Sequence, residues 1–103
     1  MHPEALTAVA SERRRRILHL VLGEEMSAGD LAAHFDVSWP AISQHLGVLK
    51  GAGLISERRD GRKRMYSTDA ERLGPLQAVL EQMWRTDLDR LADLAEADER
   101  RSR

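Results

Sequence analysis

Cysteine is absent from this 103-residue chain, which removes disulfides and thiolate metal ligands and fits a reducing compartment, so a cytoplasmic location is expected. No apolar run approaches the roughly 20 residues of a membrane span. The longest near the amino end is Ile17 to Leu22, and His19 interrupts it. Four arginines precede that stretch as in a secretory signal, but no small-residue cleavage site follows, and secretion is not expected. An excess of one charge is missing too: the formal net charge is −1, which by itself points to no nucleic-acid partner. There is no glycine-rich phosphate loop, no nucleophile paired with a base, and no histidine cluster at ligand spacing. His2, His19 and His34 read as structural or solvated, so no enzyme activity, metal or cofactor is expected.

What remains is enough for one compact domain, expected over residues 1–99 with a charged tail at 100–103. A hydrophobic fraction of 42% against 32% charged residues is that of a chain that folds. The charge is unevenly distributed. Ser38 to Tyr66 carries six basic residues (Lys50, Arg58, Arg59, Arg62, Lys63, Arg64) against two acidic ones, a net of +4. Ser67 to Glu99 carries nine acidic residues against three arginines, a net of −6 that phosphates would repel.

Local signals divide the chain into helices and one hairpin. Pro3 to Ala10 suits a short first helix with Leu6 and Val9 on its apolar face. Ser11 can cap a second, Glu12 to Leu22, whose apolar residues recur at helical spacing until Gly23. Glu24 to Met26 is a connector or short strand, and Ser27 caps a third helix with Leu31, Ala32 and Phe35 inward. After a turn at Asp36 and Val37, Ser38 caps a fourth helix that buries Ile42, Leu46 and Leu49 and ends at Gly51 or Gly53. Leu54 to Glu57 and Arg64 to Ser67 are strand-like and meet through Asp60-Gly61, a hairpin with a basic tip. From Leu73 to Leu94 a three-and-four spacing of leucines, with Met83 and Trp84, predicts one long amphipathic helix. The pattern is lost from Glu96 to Arg103, where a frayed, charged tail is expected.

The expected class is therefore mainly α with a small β-hairpin, in the order α-α-α-α-β-β-α. Two helices joined by a short turn and followed by a basic hairpin make a winged helix-turn-helix, whose natural partner is double-stranded DNA. With three leucine-like positions inward, the fourth helix leaves Ser38, Pro40, Ala41, Ser43, Gln44 and His45 to face a major groove. The Gln44 amide both donates and accepts, matching the adenine edge, while Pro40 and Ala41 permit close approach or meet a thymine methyl. Ser43 and His45 are candidates for holding phosphate, His45 being equally readable as a half-buried packing residue. Arg58, Arg59, Arg62, Lys63 and Arg64 crowd one turn, where they repel each other unless an anion compensates. The arginines from Arg13 to Arg16 point in four directions, so one or two at most could reach phosphate. Trp39 is expected to pack beneath the turn rather than touch sugar-phosphate, and Trp84 to lie in the core or an interface. An alternative is a winged-helix module that binds protein, with the basic hairpin incidental.

The stretch VSWPAISQHLGVLKGAGLI, followed by ERRDGRKRMY, resembles the recognition helix and wing of the arsenic-repressor (ArsR/SmtB) family. SERRRRILHLVL and MSAGDLAAHF resemble that family's second and third helices, so the likeness runs from about Ala8 to Tyr66. It implies a transcription repressor that binds a palindromic operator as a homodimer joined through its first and last helices. The interface would then comprise Leu6 with Leu76, Leu80, Met83, Trp84, Leu88 and Leu91. Where metal-sensing members carry cysteines at the start of the third helix, this chain has Ser27, Gly29 and Asp30. No histidine follows His45 to join Asp87 and Asp89 in a zinc site. The segment QMWRTDLDRLADLAE is more like the metal-free autorepressor branch, with any effector ligand unidentified.

Overall fold

The computed structural model describes residues 3–101; His2 and the last two residues of the expected tail lie outside them. The elements run α1 (Pro3–Val9), α2 (Glu12–Val21), β1 (Met26–Ser27), α3 (Ala28–Ala32), α4 (Trp39–Gly51), β2 (Ser56–Asp60), β3 (Lys63–Ser67), α5 (Ala70–Leu73) and α6 (Leu76–Arg101). This is a mainly helical winged fold with a three-stranded antiparallel sheet in the order β1-β3-β2. No helix among the described residues is long and apolar enough to cross a membrane.

Three serines start three helices in the same way. The hydroxyls of Ser11, Ser27 and Ser38 accept the backbone N–H of Arg14, Asp30 and Ala41, each satisfying one of the donors that a first helical turn leaves unpaired. The end of α4 is set by Gly53, not Gly51. With Gly53 at φ 75, its N–H reaches the Lys50 carbonyl at 3.0 Å and the Leu54 N–H reaches the Leu49 carbonyl at 3.0 Å. This paired closure requires a left-handed residue one step past the cap.

One core unites the elements: Ile17, Leu18 and Val21 of α2 meet Leu31 of α3, Ile42, Leu46 and Leu49 of α4, and Leu76, Leu80 and Trp84 of α6. Leu54 and Ile55 belong to this core but precede the strand. Strand β2 therefore runs two to three residues nearer the tip than expected, while β3 differs only in starting one residue earlier, and the ladder pairs Ser56↔Ser67 through Asp60↔Lys63. The two-residue loop is Gly61-Arg62 rather than Asp60-Gly61, with Gly61 at φ 62 taking the first loop position that a type II′ hairpin reserves for glycine. The sheet gains a third strand because β1 adds to β3 through Met26↔Tyr66 and Ser27↔Met65.

The expected single last helix is two. Asp69 caps α5 by accepting the Arg72 N–H at 2.7 Å, Gly74 at φ 54 ends it, and Pro75 follows before α6 begins. The expected frayed end is helical through Arg101. Alanine, leucine, glutamate and arginine favour helix without an apolar stripe, and Arg101 pairs with Asp98 at 3.8 Å one turn back.

Candidate nucleic-acid interface

Helix α4 presents a narrow outward face because its inward positions are filled. Ile42, Leu46 and Leu49 are at most 3% exposed, which turns Ser38, Trp39, Pro40, Ser43, Gln44 and Gly47 to solvent and leaves Ala41 half-buried. No acidic residue lies in the first turn, so the partial positive charge of the helix N-terminus is uncompensated on that face. Ser43 and Trp39 line an open cleft of about 570 Å³ with Gly29 at the start of α3 and with Arg62, Lys63 and Arg64 of the wing. Helix-turn-helix and wing thus address the same space, with Gln44 exposed beside it.

His45 does not share that face. Its Nδ1 accepts from the Arg14 guanidinium at 3.3 Å, and the same guanidinium donates to the carbonyls of Ala8 at 2.7 Å and Thr7 at 3.1 Å. Burial, with Arg14 and Arg13 nearby, holds its pKa below the ordinary histidine value. Through Arg14, His45 joins α4 to α2 and α1. Of the two expectations for His45, its half-buried position and its contact with Arg14 favour packing over phosphate. Trp39 moves the other way: expected beneath the turn, its side chain stands in the cleft with the residue 54% exposed. The turn is instead covered by half-buried Phe35 and Val37, which pack on the core.

The five wing cations are not equivalent. Arg58 grips Glu25 in a two-point contact, its Nε donating at 2.8 Å, and this holds the Glu25 carboxyl below its usual pKa. Arg64 lies 3.3 Å from Glu57, whose same oxygen is 3.5 Å from Lys50. Arg59, Arg62 and Lys63 are exposed and make no ion pair with a described residue. Arg59 also sits directly opposite Arg64 in the ladder, a like-charge pair offset by the Glu57 carboxylate on Arg64.

The second basic run divides as its spacing implies. Arg15, 9% exposed, forms a two-point ion pair with Asp87 of α6, both bonds at 2.9 Å, and donates to the Val9 carbonyl at 2.8 Å. That contact holds the Asp87 carboxyl below its ordinary range. Arg16 lies over the Phe35 ring at 4.9 Å, Arg14 clasps α1, and Arg13 is exposed.

The residues expected at an interface fall into two groups. Leu76, Leu80 and Trp84 lie inside the protomer at 2%, 0% and 8% exposure, and the Trp84 indole donates to the Arg15 carbonyl at 2.8 Å beside the His19 ring. They have almost no surface left for a partner. Leu6, Leu88 and Leu91 are exposed and Met83 half-buried, joined on α6 by exposed Val79 and Leu94. The sequence reading missed Glu25 and Glu57 as counter-charges to the wing. Glu25 is 33 residues from Arg58 along the chain, and only the pairing of β1 with β3 draws its segment alongside.

Residues 11–57 match the sequence profile described as bacterial regulatory protein, arsR family. The chain is 36% identical over 94 residues to the HTH-type transcriptional regulator Rv2034 of Mycobacterium tuberculosis, spanning 91% of this chain and 88% of that protein. It is 48% identical over 60 residues to the transcriptional repressor SdpR of Bacillus subtilis, 58% of this chain and 67% of that one. The solved structure of HlyU from Vibrio cholerae superposes with a TM-score of 0.68 at 32% identity, covering 81% of this chain and 87% of that one. HlyU is named a transcriptional activator.

Proposed function

The chain belongs to the ArsR family of bacterial regulatory proteins, and on that premise we propose that it represses transcription as a cytoplasmic homodimer bound to a palindromic operator. Membership makes it a DNA-binding transcriptional regulator and not an enzyme. The observation that carries the finer reading is the shared cleft: Trp39 and Ser43 on the outward face of α4 meet Arg62 and Lys63, wing cations with no ion pair among the described residues, in one space. In this reading α4 enters the major groove with Gln44 on a base edge, with Ser38, Pro40, Ala41 and Ser43 beside it, while Arg59, Arg62 and Lys63 follow the flanking phosphates. Exposed Leu6, Leu88 and Leu91 with Met83 support dimerisation through the first and last helices. Two recognition helices would then address half-sites about one helical turn apart. Without cysteine the chain has no means of thiolate metal sensing, and its effector, if any, is of another chemistry.

Mobility shifts on DNA upstream of the chain's own reading frame test the proposal. A salt-sensitive, sequence-dependent complex of dimer mass is expected, and Gln44→Ala should weaken the preference for operator over scrambled duplex more than it weakens binding to scrambled duplex. A chain that forms no salt-sensitive complex is instead a protein-binding module. The relative named as an activator favours a second reading, activation from the same interface. A promoter–reporter fusion decides between them, since output falls under repression and rises under activation.

A further inference from the structure

Two tryptophans in this chain stand in opposite environments. Trp84 is 8% exposed and its indole N–H is satisfied by the Arg15 carbonyl. Trp39 is 54% exposed and opens the recognition helix, and its indole N–H has no hydrogen-bond partner among the described residues. A large apolar ring whose N–H has no partner within the protein, exposed at a cationic cleft, has the two properties that a sugar-phosphate strand would meet: a flat face for deoxyribose and an N–H for a phosphate oxygen.

We propose that the cleft between α4 and the wing seats a single backbone strand of the DNA, and that Trp39 holds it, packing its ring on a deoxyribose and donating Nε1–H to a phosphate. The inference rests on the DNA-binding reading given above. It follows from position. A helix lying in the major groove and a wing reaching the neighbouring minor groove must straddle the strand that separates the grooves. Trp39 and Ser43 line the wing side of α4 and share the cleft with Arg62, Lys63 and Arg64, so they face that strand rather than the groove floor. The cleft is thus apolar and donor-rich on the helix side and cationic on the wing side. Gln44, exposed but outside the cleft lining, is left free for the base edge.

This role has a signature distinct from those of its neighbours. A backbone contact carries no sequence information, and a neutral donor releases no counterion. Trp39→Ala should therefore weaken binding about tenfold or more on operator and scrambled duplex alike, equivalent to about 1.4 kcal/mol or more, with the salt slope unchanged. Trp39→Phe, which keeps a ring and removes the donor, should recover part of that loss. Tryptophan emission supplies a direct readout. Wild-type fluorescence should change on adding duplex, whereas Trp39→Phe, reporting only buried Trp84, should not respond.

Unchanged affinity of Trp39→Ala on both duplexes, or wild-type emission that ignores saturating DNA, overturns the proposal. So does a Trp39→Ala protein that loses its preference for operator while keeping its affinity for scrambled DNA, because the indole would then be reading a base. A wild-type chain that binds neither duplex fails earlier and removes the DNA-binding reading itself. Exposure of Trp39 leaves the core intact in both variants, which matching thermal melts will verify.

Discussion

Replacing Glu25 by glutamine should make DNA binding more sensitive to salt, and replacing Arg62 by alanine should make it less so. Arg58 is held in two-point contact with Glu25, and Arg64 shares Glu57 with Lys50, which leaves Arg59, Arg62 and Lys63 as the wing cations without a carboxylate partner among the described residues. A dimer then brings six such cations to the duplex, and at about −0.9 per neutralised phosphate the wings contribute about −5 to the log–log slope of affinity against salt. Glu25→Gln removes the carboxylate that competes for Arg58, and one freed cation per protomer steepens the slope by about 1.8. Arg62→Ala flattens it by about the same amount and lowers affinity on every sequence. Anisotropy titrations of one labelled duplex across about 50 to 200 mM salt resolve changes of this size. If Glu25→Gln leaves the slope where it was, carboxylate pairing does not partition the wing. If Arg62→Ala alters base preference and not slope, Arg62 reads bases and the roles assigned here are reversed.

Asp87→Ala should destabilise the fold by about 3 kcal/mol, because it strands Arg15, whose side chain is only 11% exposed, without its carboxylate. For a domain of this size the thermal midpoint should fall by more than about 10 °C, and a shift of a degree or two would contradict the reading. His45 resists protonation when folded, so the unfolded chain binds more protons below its ordinary pKa of about 6.5. Stability attributable to His45 is complete above that pH and declines as pH falls toward the lower folded value. Denaturation of His45→Gln from pH 7.5 to 5.5 should show a smaller acid loss than wild type, and equal losses would show that the histidine is not the titrating group. Leu88→Glu with Leu91→Glu places charge on exposed α6 positions outside the core, so the doubly substituted chain should fold normally and sediment as a monomer at micromolar concentration. A persistent dimer would move the interface elsewhere.

Much of this architecture was legible locally. A cap, an apolar spacing and a breaker are read over a few residues, which is why the serine-capped starts of α2, α3 and α4 and the inward trio Ile42, Leu46 and Leu49 appear where expected. The outward face of α4 follows from that trio by subtraction. The Gly74-Pro75 break was equally local, but the continuous run of leucines across it outweighed the breaker. Strand β1, two residues long, has no readable period and exists only because β3 is there to receive it.

Covalent order along the chain was thus sufficient for the first four helices, the presence of a hairpin, the basic wing and the kinship with winged regulators, since each depends on neighbours within a turn or two. Folding settled which charges and rings are available. It sent Arg58 to Glu25, Arg15 to Asp87 and His45 to Arg14, drew Leu76, Leu80 and Trp84 into the core, and left Trp39 outside. Those outcomes depend on partners up to 72 residues apart, and an interaction whose energy decays over a few ångströms leaves no trace in a one-dimensional pattern until the chain has closed the distance.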